Sequence, residues 1–275
     1  MTDSALTVAD LTTDLTAEQQ ALDDVVARLD LDAWDMATAS PRWTVGDQIA
    51  HLAYFDTTAT LAITDPEGFR SAVDGLMGVA RDGEKAIDDL TMGAYRRLTP
   101  PERLAAWRDG RRRLAAAAGT LADDARVPWY GPSMGGKSFL TARLMEAWAH
   151  GQDVVDAVGA SRPPTDRLRH IARLGVMTRG WSYANRRMEA PDVAVDVMLE
   201  APSGAVWTWG PGDASETISG PAEDFCLVVT QRRHVDDTGL RMAGDGARDW
   251  MVRAQAFGER LVGQHQAMAQ HVGHQ

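Results

Sequence analysis

Two separate segments of the chain carry side chains that could bind a divalent metal ion. His51 lies in one predicted helix, and Glu146 and His150 lie four residues apart in another. Residues four apart project from the same helix face, so Glu146 and His150 can reach one ion. Two imidazoles and one carboxylate are a ligand set for a metal with an open coordination position, which would indicate an enzyme rather than a binding module. Spacing alone does not make the two helices neighbours, and a Glu–His pair is more often an ordinary solvated helix surface.

Charged residues flank each candidate ligand. Asp47 precedes His51 by about one helical turn, Asp153 follows His150 by three residues, and Arg143 precedes Glu146 by three. A carboxylate commonly accepts a hydrogen bond from the ring nitrogen of a histidine that does not bind the metal. We therefore expect Asp47 and Asp153 to support the two histidines, with Arg143 on the same flank as Glu146.

The first part of the chain has the apolar periodicity of helices joined by short connections. Thr44 and Asp47 have capping-box spacing and predict that a helix begins there, while Gly159 predicts a helix end. The predicted helices are 7–31, 44–63, 68–81, 83–98, 101–121, 138–158 and 165–187. This order is typical of a helical bundle.

After residue 190 the period changes from helical to alternating. Val193, Val195, Val197 and Leu199 fall on one side of a predicted strand. Further strands are predicted at 206–209, 215–218 and 240–242, with helices at 221–232 and 247–262. We therefore predict a helical domain over 1–190, a small α+β domain over 191–263, and a frayed tail over 264–275.

Composition limits the class of partner. A net charge of -11 argues against nucleic acid and anionic membranes, which attract basic surfaces, and leaves a small molecule as the expected partner. Cys226 is the only cysteine, so the chain has no internal disulfide. Without a signal peptide or an apolar run long enough to span a bilayer, the expected location is the cytoplasm.

Residues 131–138 (GPSMGGKS) match the phosphate-loop pattern of nucleotide-binding proteins. That site needs a buried strand directly before the loop, and the preceding residues are few and include Pro128. We interpret this stretch as the loop that leads into the helix of Glu146 and His150.

The two ligand segments also resemble a known family. Residues 43–52 (WTVGDQIAHL) and 142–154 (ARLMEAWAHGQDV) are similar to the two signature motifs of the mycothiol-dependent maleylpyruvate isomerase family, which belongs to the DinB-like helical-bundle metalloenzymes. The resemblance implies a DinB-like four-helix bundle that binds a divalent ion, usually zinc, through His51, Glu146 and His150. It also implies a small C-terminal α+β domain resembling sterol carrier proteins.

The same resemblance implies a chemistry. A metal ion lowers the pKa of a coordinated thiol, so mycothiol would be bound as a thiolate and would attack a small electrophile, giving isomerisation or thiol transfer. An arginine of the C-terminal domain would hold an anionic substrate, and Arg232 and Arg233 are the candidates. Two alternatives stay open: a hydrolase or lyase that activates water at the same ligands, and a non-catalytic protein that binds a small ligand.

Overall fold

The computed structural model describes residues 6–256, and these residues divide into two compact units. The first extends to Arg162 and is helical; the second begins at Pro163 and contains a sheet. The helices of the first unit are α1 (Val8–Val26), α2 (Val45–Thr64), α3 (Pro66–Ala80), α4 (Glu84–Arg96), α5 (Pro100–Ala118) and α6 (Gly136–Val158). A short hairpin of β1 (Arg126–Val127) and β2 (Met134–Gly135) precedes α6.

Four of these helices form the predicted bundle. Helices α1, α2, α5 and α6 pack against one another, and α3 and α4 pack beside α2. The bundle core includes Leu22, Ile49, Trp107 and Val154, one residue from each of the four helices. The predicted capping box is confirmed, because Thr44 and Asp47 exchange hydrogen bonds at the start of α2. Gly159, in the left-handed conformation with φ 63°, ends α6 as predicted.

One buried carboxylate joins all four bundle helices. Asp56 of α2 is 1% exposed and accepts hydrogen bonds from Gln19 of α1 (2.9 Å), Trp107 of α5 (3.2 Å) and Arg143 of α6 (3.0 Å). Arg143 is itself 2% exposed. A charge buried this deeply is tolerated only when it is paired and hydrogen-bonded, so these contacts constrain how the four helices pack.

The second unit is a four-stranded sheet with helices. Its elements are α7 (Leu168–Met177), α8 (Arg179–Ala184), β3 (Val195–Glu200), β4 (Val206–Trp209), β5 (Glu216–Pro221), α9 (Ala222–Val229), β6 (Arg241–Ala243) and α10 (Asp245–Arg253). The strand order is β4-β3-β5-β6; β3 and β5 are parallel, and both edge strands pair antiparallel. Val195, Val197 and Leu199 are buried, as their alternation predicts.

The division between the units differs from the predicted boundary near residue 190. Helix α7 packs against α9 of the second unit, and a Cβ at Gly175 would lie only 2.9 Å from side-chain carbons of Val229. The single helix predicted over 165–187 is also interrupted. Thr178 leaves helical geometry between α7 and α8, and its hydroxyl donates to the carbonyl of Leu174.

Other predictions concern the ends of the chain and membranes. The tail over 264–275 and the end of the helix predicted to reach 262 lie outside the described residues. Across 6–256, no helix combines the length and apolar character needed to cross a bilayer. The resemblance of the second unit to sterol carrier proteins stays a prediction.

Loss of the Asp56 carboxylate should destabilise the bundle. In Asp56→Ala the buried guanidinium of Arg143 loses its counter-charge, and we expect the free energy of unfolding to fall by about 3–5 kcal/mol. Asp109→Ala is the matched control, because Asp109 pairs with Arg112 and Arg113 at the surface and its loss should cost under about 1 kcal/mol. Urea unfolding measures both; equal losses would contradict the role given to Asp56.

Candidate metal centre

The three predicted ligands meet where α2 and α6 pack together. His51 lies on α2, and Glu146 and His150 lie one turn apart on α6. One ligand atom from each residue falls within 4.8 Å of the others. Glu146 Oε2 is 3.4 Å from His51 Nε2 and 3.2 Å from His150 Nε2. The adjacency that spacing left open is thus present in the structure.

The two distances from Glu146 Oε2 suit a small divalent cation. Ligand atoms bound at about 2.0–2.1 Å around a tetrahedral ion are about 3.3 Å apart, close to both separations from Glu146 Oε2. The set of two imidazole nitrogens and one carboxylate oxygen matches the ligands that zinc takes, and three protein ligands leave a fourth position for another molecule. The residues present therefore fit the divalent ion that the family resemblance implies.

Burial decreases across the cluster. The side chain of His150 is 4% exposed, that of His51 12%, and that of Glu146 28%. Phe55 lies 4.5 Å from His51 between ring centroids and contributes to this burial. The cluster is therefore accessible chiefly on the side of Glu146.

The protonation states favour metal binding. Burial and the neighbouring His150 lower the pKa of His51 to about 3, so this imidazole is neutral at neutral pH and its lone pair is available. Burial alone would raise the pKa of Glu146, but hydrogen bonds with His150 and His51 hold it well below its usual range. The cluster consequently offers the neutral imidazole of His51 and the carboxylate of Glu146, with His150 as the third ligand.

A glutamine that the sequence analysis did not single out orients His150. Gln48 is fully buried, and its Oε1 accepts a hydrogen bond from His150 Nδ1 at 2.7 Å. Its Nε2 donates to Thr38 Oγ1 at 2.9 Å, and that hydroxyl donates to the carbonyl of Trp43 at 3.0 Å. A metal ion bound at Nε2, the atom that faces Glu146, would replace the proton there and leave the other ring proton on Nδ1, where Gln48 accepts it.

The predicted supporting carboxylates have other contacts. Asp47 accepts from the Thr44 backbone N–H (3.1 Å) and from Arg96 Nε (2.8 Å), so it caps α2 instead of supporting His51. Asp153 Oδ2 is 3.7 Å from His150 Nδ1, too long for a hydrogen bond, because Gln48 takes that position.

The predicted arginines have different surroundings in the structure. Arg143 does lie on α6 one turn from Glu146, but it pairs with Asp56. Arg232 and Arg233 follow α9 in the second unit and line a cavity of about 250 Å³ together with His234 and Met251. Their role toward a substrate stays a prediction.

Removing the amide of Gln48 should weaken metal binding. In Gln48→Leu the proton of His150 is no longer held on Nδ1, and we expect roughly 10–100-fold weaker Zn²⁺ affinity, measured by competition with a chromogenic chelator. Gln152→Leu on α6 is the control, since its amide donates to Asp156 and not to a candidate ligand. Should Asp153→Asn weaken Zn²⁺ binding more than Gln48→Leu, the assignment of this hydrogen bond is wrong.

The neutral state of His51 should also make stability depend on pH. Its pKa is 6.5 when unfolded and about 3 when folded, so its contribution is complete above pH 6.5 and is lost as the pH falls toward 3. We expect the unfolding free energy of the metal-free protein to decline over this window. In His51→Gln the decline should be shallower by up to about 1 kcal/mol per pH unit, whereas the exposed control His234→Gln should keep the wild-type slope.

The sequence matches two family models and one bacterial protein. Residues 15–155 match the family model described as mycothiol maleylpyruvate isomerase N-terminal domain, and 197–242 match one described as wyosine base formation. An uncharacterized protein of Mycobacterium tuberculosis, in strains CDC 1551 and H37Rv, is 42% identical over 244 residues, covering 89% of this chain and 93% of that protein.

Solved structures share the fold. Crystal structures of the mycothiol-dependent maleylpyruvate isomerase and of a histidine-to-alanine mutant each superpose with a TM-score of 0.57 at 16% identity, covering 88% of this chain and 95% of the other. At that identity the likeness establishes the fold alone. The family match, which spans just over half of the chain and includes all three candidate ligands, shows that the chain belongs to the family of the mycothiol maleylpyruvate isomerase N-terminal domain.

Proposed function

We propose that this protein is a mycothiol-dependent isomerase or thiol transferase that uses a divalent metal, zinc, held by His51, Glu146 and His150. The observation that carries the proposal is the convergence of these three side chains within 4.8 Å, with His150 oriented by Gln48. Membership in the family supports the use of mycothiol.

The chain's own residues prepare the site for a thiol. His51 provides a neutral nitrogen, His150 provides a second ring nitrogen, and Glu146 provides the negative charge of the cluster. Burial of both imidazoles limits access of water. A bound divalent cation would lower the pKa of a coordinated thiol, so that a nucleophile mostly protonated at neutral pH becomes a thiolate.

The chain has no suitable thiol of its own. Its single cysteine, Cys226, is completely buried in α9, and burial raises the pKa of this thiol well above its usual value. A buried, protonated thiol is a poor nucleophile. Thiol chemistry in this protein therefore requires an external thiol, which agrees with a small-molecule cofactor.

The proposed reaction is nucleophilic catalysis on a small, anionic electrophile. The thiolate adds to an electrophilic carbon. Expulsion of the same thiolate releases an isomer and regenerates the cofactor, whereas expulsion of a leaving group from that carbon, which takes up a proton, gives a thiol-transfer product. Arg232 or Arg233 would bind the substrate anion. Maleylpyruvate, which appears in the names of the structural relatives, is the first substrate to test.

The proposal is tested with cobalt in place of zinc. We expect Co²⁺-loaded protein to gain a thiolate-to-cobalt charge-transfer absorption when mycothiol is added, because thiolate would occupy the open position. His150→Ala should bind less than a tenth of the wild-type Co²⁺ at matched concentration, since it lacks one of three ligands. The control His170→Ala, a histidine of α7 outside the cluster, should bind like wild type.

Other outcomes would point elsewhere. Equal metal content in His150→Ala and wild type would refute the assignment of the site. Metal-dependent turnover that does not respond to mycothiol would indicate a hydrolase or lyase that activates water. Tight binding of a small ligand without turnover would indicate a non-catalytic binding protein.

A further inference from the structure

Trp43 covers both candidate histidine ligands. Its ring centroid lies 4.9 Å from that of His51 and 5.9 Å from that of His150, and the indole is tilted 30° to the second ring. An aromatic ring in this position keeps solvent away from the imidazoles and lowers the local polarity, a property that controls metal binding and water access in metal sites. The placement of Trp43 therefore bears on the properties of the centre.

A residue outside the four bundle helices holds the indole. Asp88 of α4 is 7% exposed, and its Oδ2 lies 3.3 Å from Trp43 Nε1, which donates the hydrogen bond. The same oxygen is 3.4 Å from the guanidinium of Arg42, which also binds Glu84 at 2.9 Å. A buried carboxylate needs such donors to offset its desolvation, and the indole N–H is one of them.

The backbone around Trp43 is also constrained. Residues 37–44, which we call the strap, are closed by an antiparallel bridge between Ala37 and Thr44. Within the strap, Arg42 has φ 69°, a left-handed conformation that costs a non-glycine residue energy. The Trp43 carbonyl accepts from the Thr38 backbone N–H at 2.9 Å. Such strain persists only where surrounding contacts enforce it and often marks a functional segment.

The strap is connected to His150 in two ways, by a direct ring contact and by a chain of hydrogen bonds. The Trp43 ring packs on the imidazole, and the chain from Thr38 through Gln48 reaches His150 Nδ1 by hydrogen bonds. The hydrogen bond from the Trp43 indole to Asp88 also connects the end of the strap to α4. Trp43 is therefore held at two points: its backbone carbonyl is bound by Thr38, and its indole N–H is bound by Asp88.

We propose that Asp88 is a positioning residue of the metal centre, which holds the indole of Trp43 against His51 and His150 and so excludes water from the ligands. This inference rests on the proposed metal ligands and is independent of mycothiol and of the reaction. It also gives α4, which packs beside α2 without belonging to the bundle, a part in the site.

The indole N–H signal of Trp43 provides a direct test in the full chain. The chain has nine tryptophans, and the signal lost in Trp43→Phe identifies the one of interest. In wild-type protein, Co²⁺ should shift this signal strongly relative to Zn²⁺, since the paramagnetic ion would lie near the ring. Asp88→Leu removes the acceptor, and we expect a much smaller paramagnetic shift and roughly ten-fold weaker Co²⁺ affinity.

Two variants separate the hydrogen bond from charge and from general stability. Asp88→Asn keeps an oxygen acceptor but loses the ion pair with Arg42, and it should retain the wild-type shift and affinity. Asp89→Asn, on the same helix, removes a carboxylate that pairs with Lys85 and Arg96 and should also behave like wild type. If Asp88→Leu does not fold, Trp43→Phe, which keeps a ring but lacks the N–H donor, should show the loss of affinity.

Several results would overturn the inference. The inference is overturned if Asp88→Leu keeps the wild-type paramagnetic shift of the Trp43 signal and the wild-type Co²⁺ affinity. It is also overturned if Trp43→Phe binds Co²⁺ with wild-type affinity. An equal loss in Asp88→Asn would assign the effect to the ion pair with Arg42. Wild-type protein that binds no Co²⁺ would instead reject the metal centre itself, so the two failures are distinguishable.

Discussion

The packing of the bundle depends on one buried carboxylate, which must be hydrogen-bonded and paired with a positive charge. The Asp56 carboxylate has almost no contact with solvent, and each helix of the bundle other than its own supplies a donor to it. Apolar side chains tolerate small slides between helices, whereas hydrogen bonds to a buried charge lose most of their value when donor and acceptor separate. Because Asp56 and Arg143 belong to the two helices that carry the candidate ligands, the same contacts limit how far His51 can move from Glu146 and His150.

Around this fixed pair of helices, the candidate centre is assembled from short contacts between elements distant in sequence. Gln48 of α2 orients an imidazole of α6, and Thr38 connects that amide to the segment that carries Trp43. Helix α4 reaches the same segment through Asp88. Few of these groups can change without altering the partner of another. The candidate site is therefore held by helices and a tethered segment rather than by free loops.

Much of this arrangement follows from local sequence signals. Periodicity and caps predict the helices and strands, because Thr44, Asp47 and Gly159 act within one turn of their own position. The ligands are recognisable as a pattern on two helices. The hydrogen bond of Gln48 is not, since it joins residues 102 positions apart and nothing local distinguishes this glutamine from a solvated one. Asp47 and Asp153 have suitable spacing, but competing partners decide their contacts. The break at Thr178 and the packing of α7 on α9 likewise depend on tertiary contacts.

The three candidate ligands are unevenly buried, so one side of the cluster is open and the other is enclosed. Since His150 is nearly enclosed and Glu146 is the most exposed of the three, an incoming molecule reaches the candidate cluster chiefly from the side of Glu146. A molecule that approaches from the side of Glu146 has the packed surroundings of His150 on the far side of the cluster. On such a scaffold, substitutions on the open side can alter which molecules are accepted while the enclosed side keeps its candidate ligands, so the substrate can diverge without rebuilding the cluster.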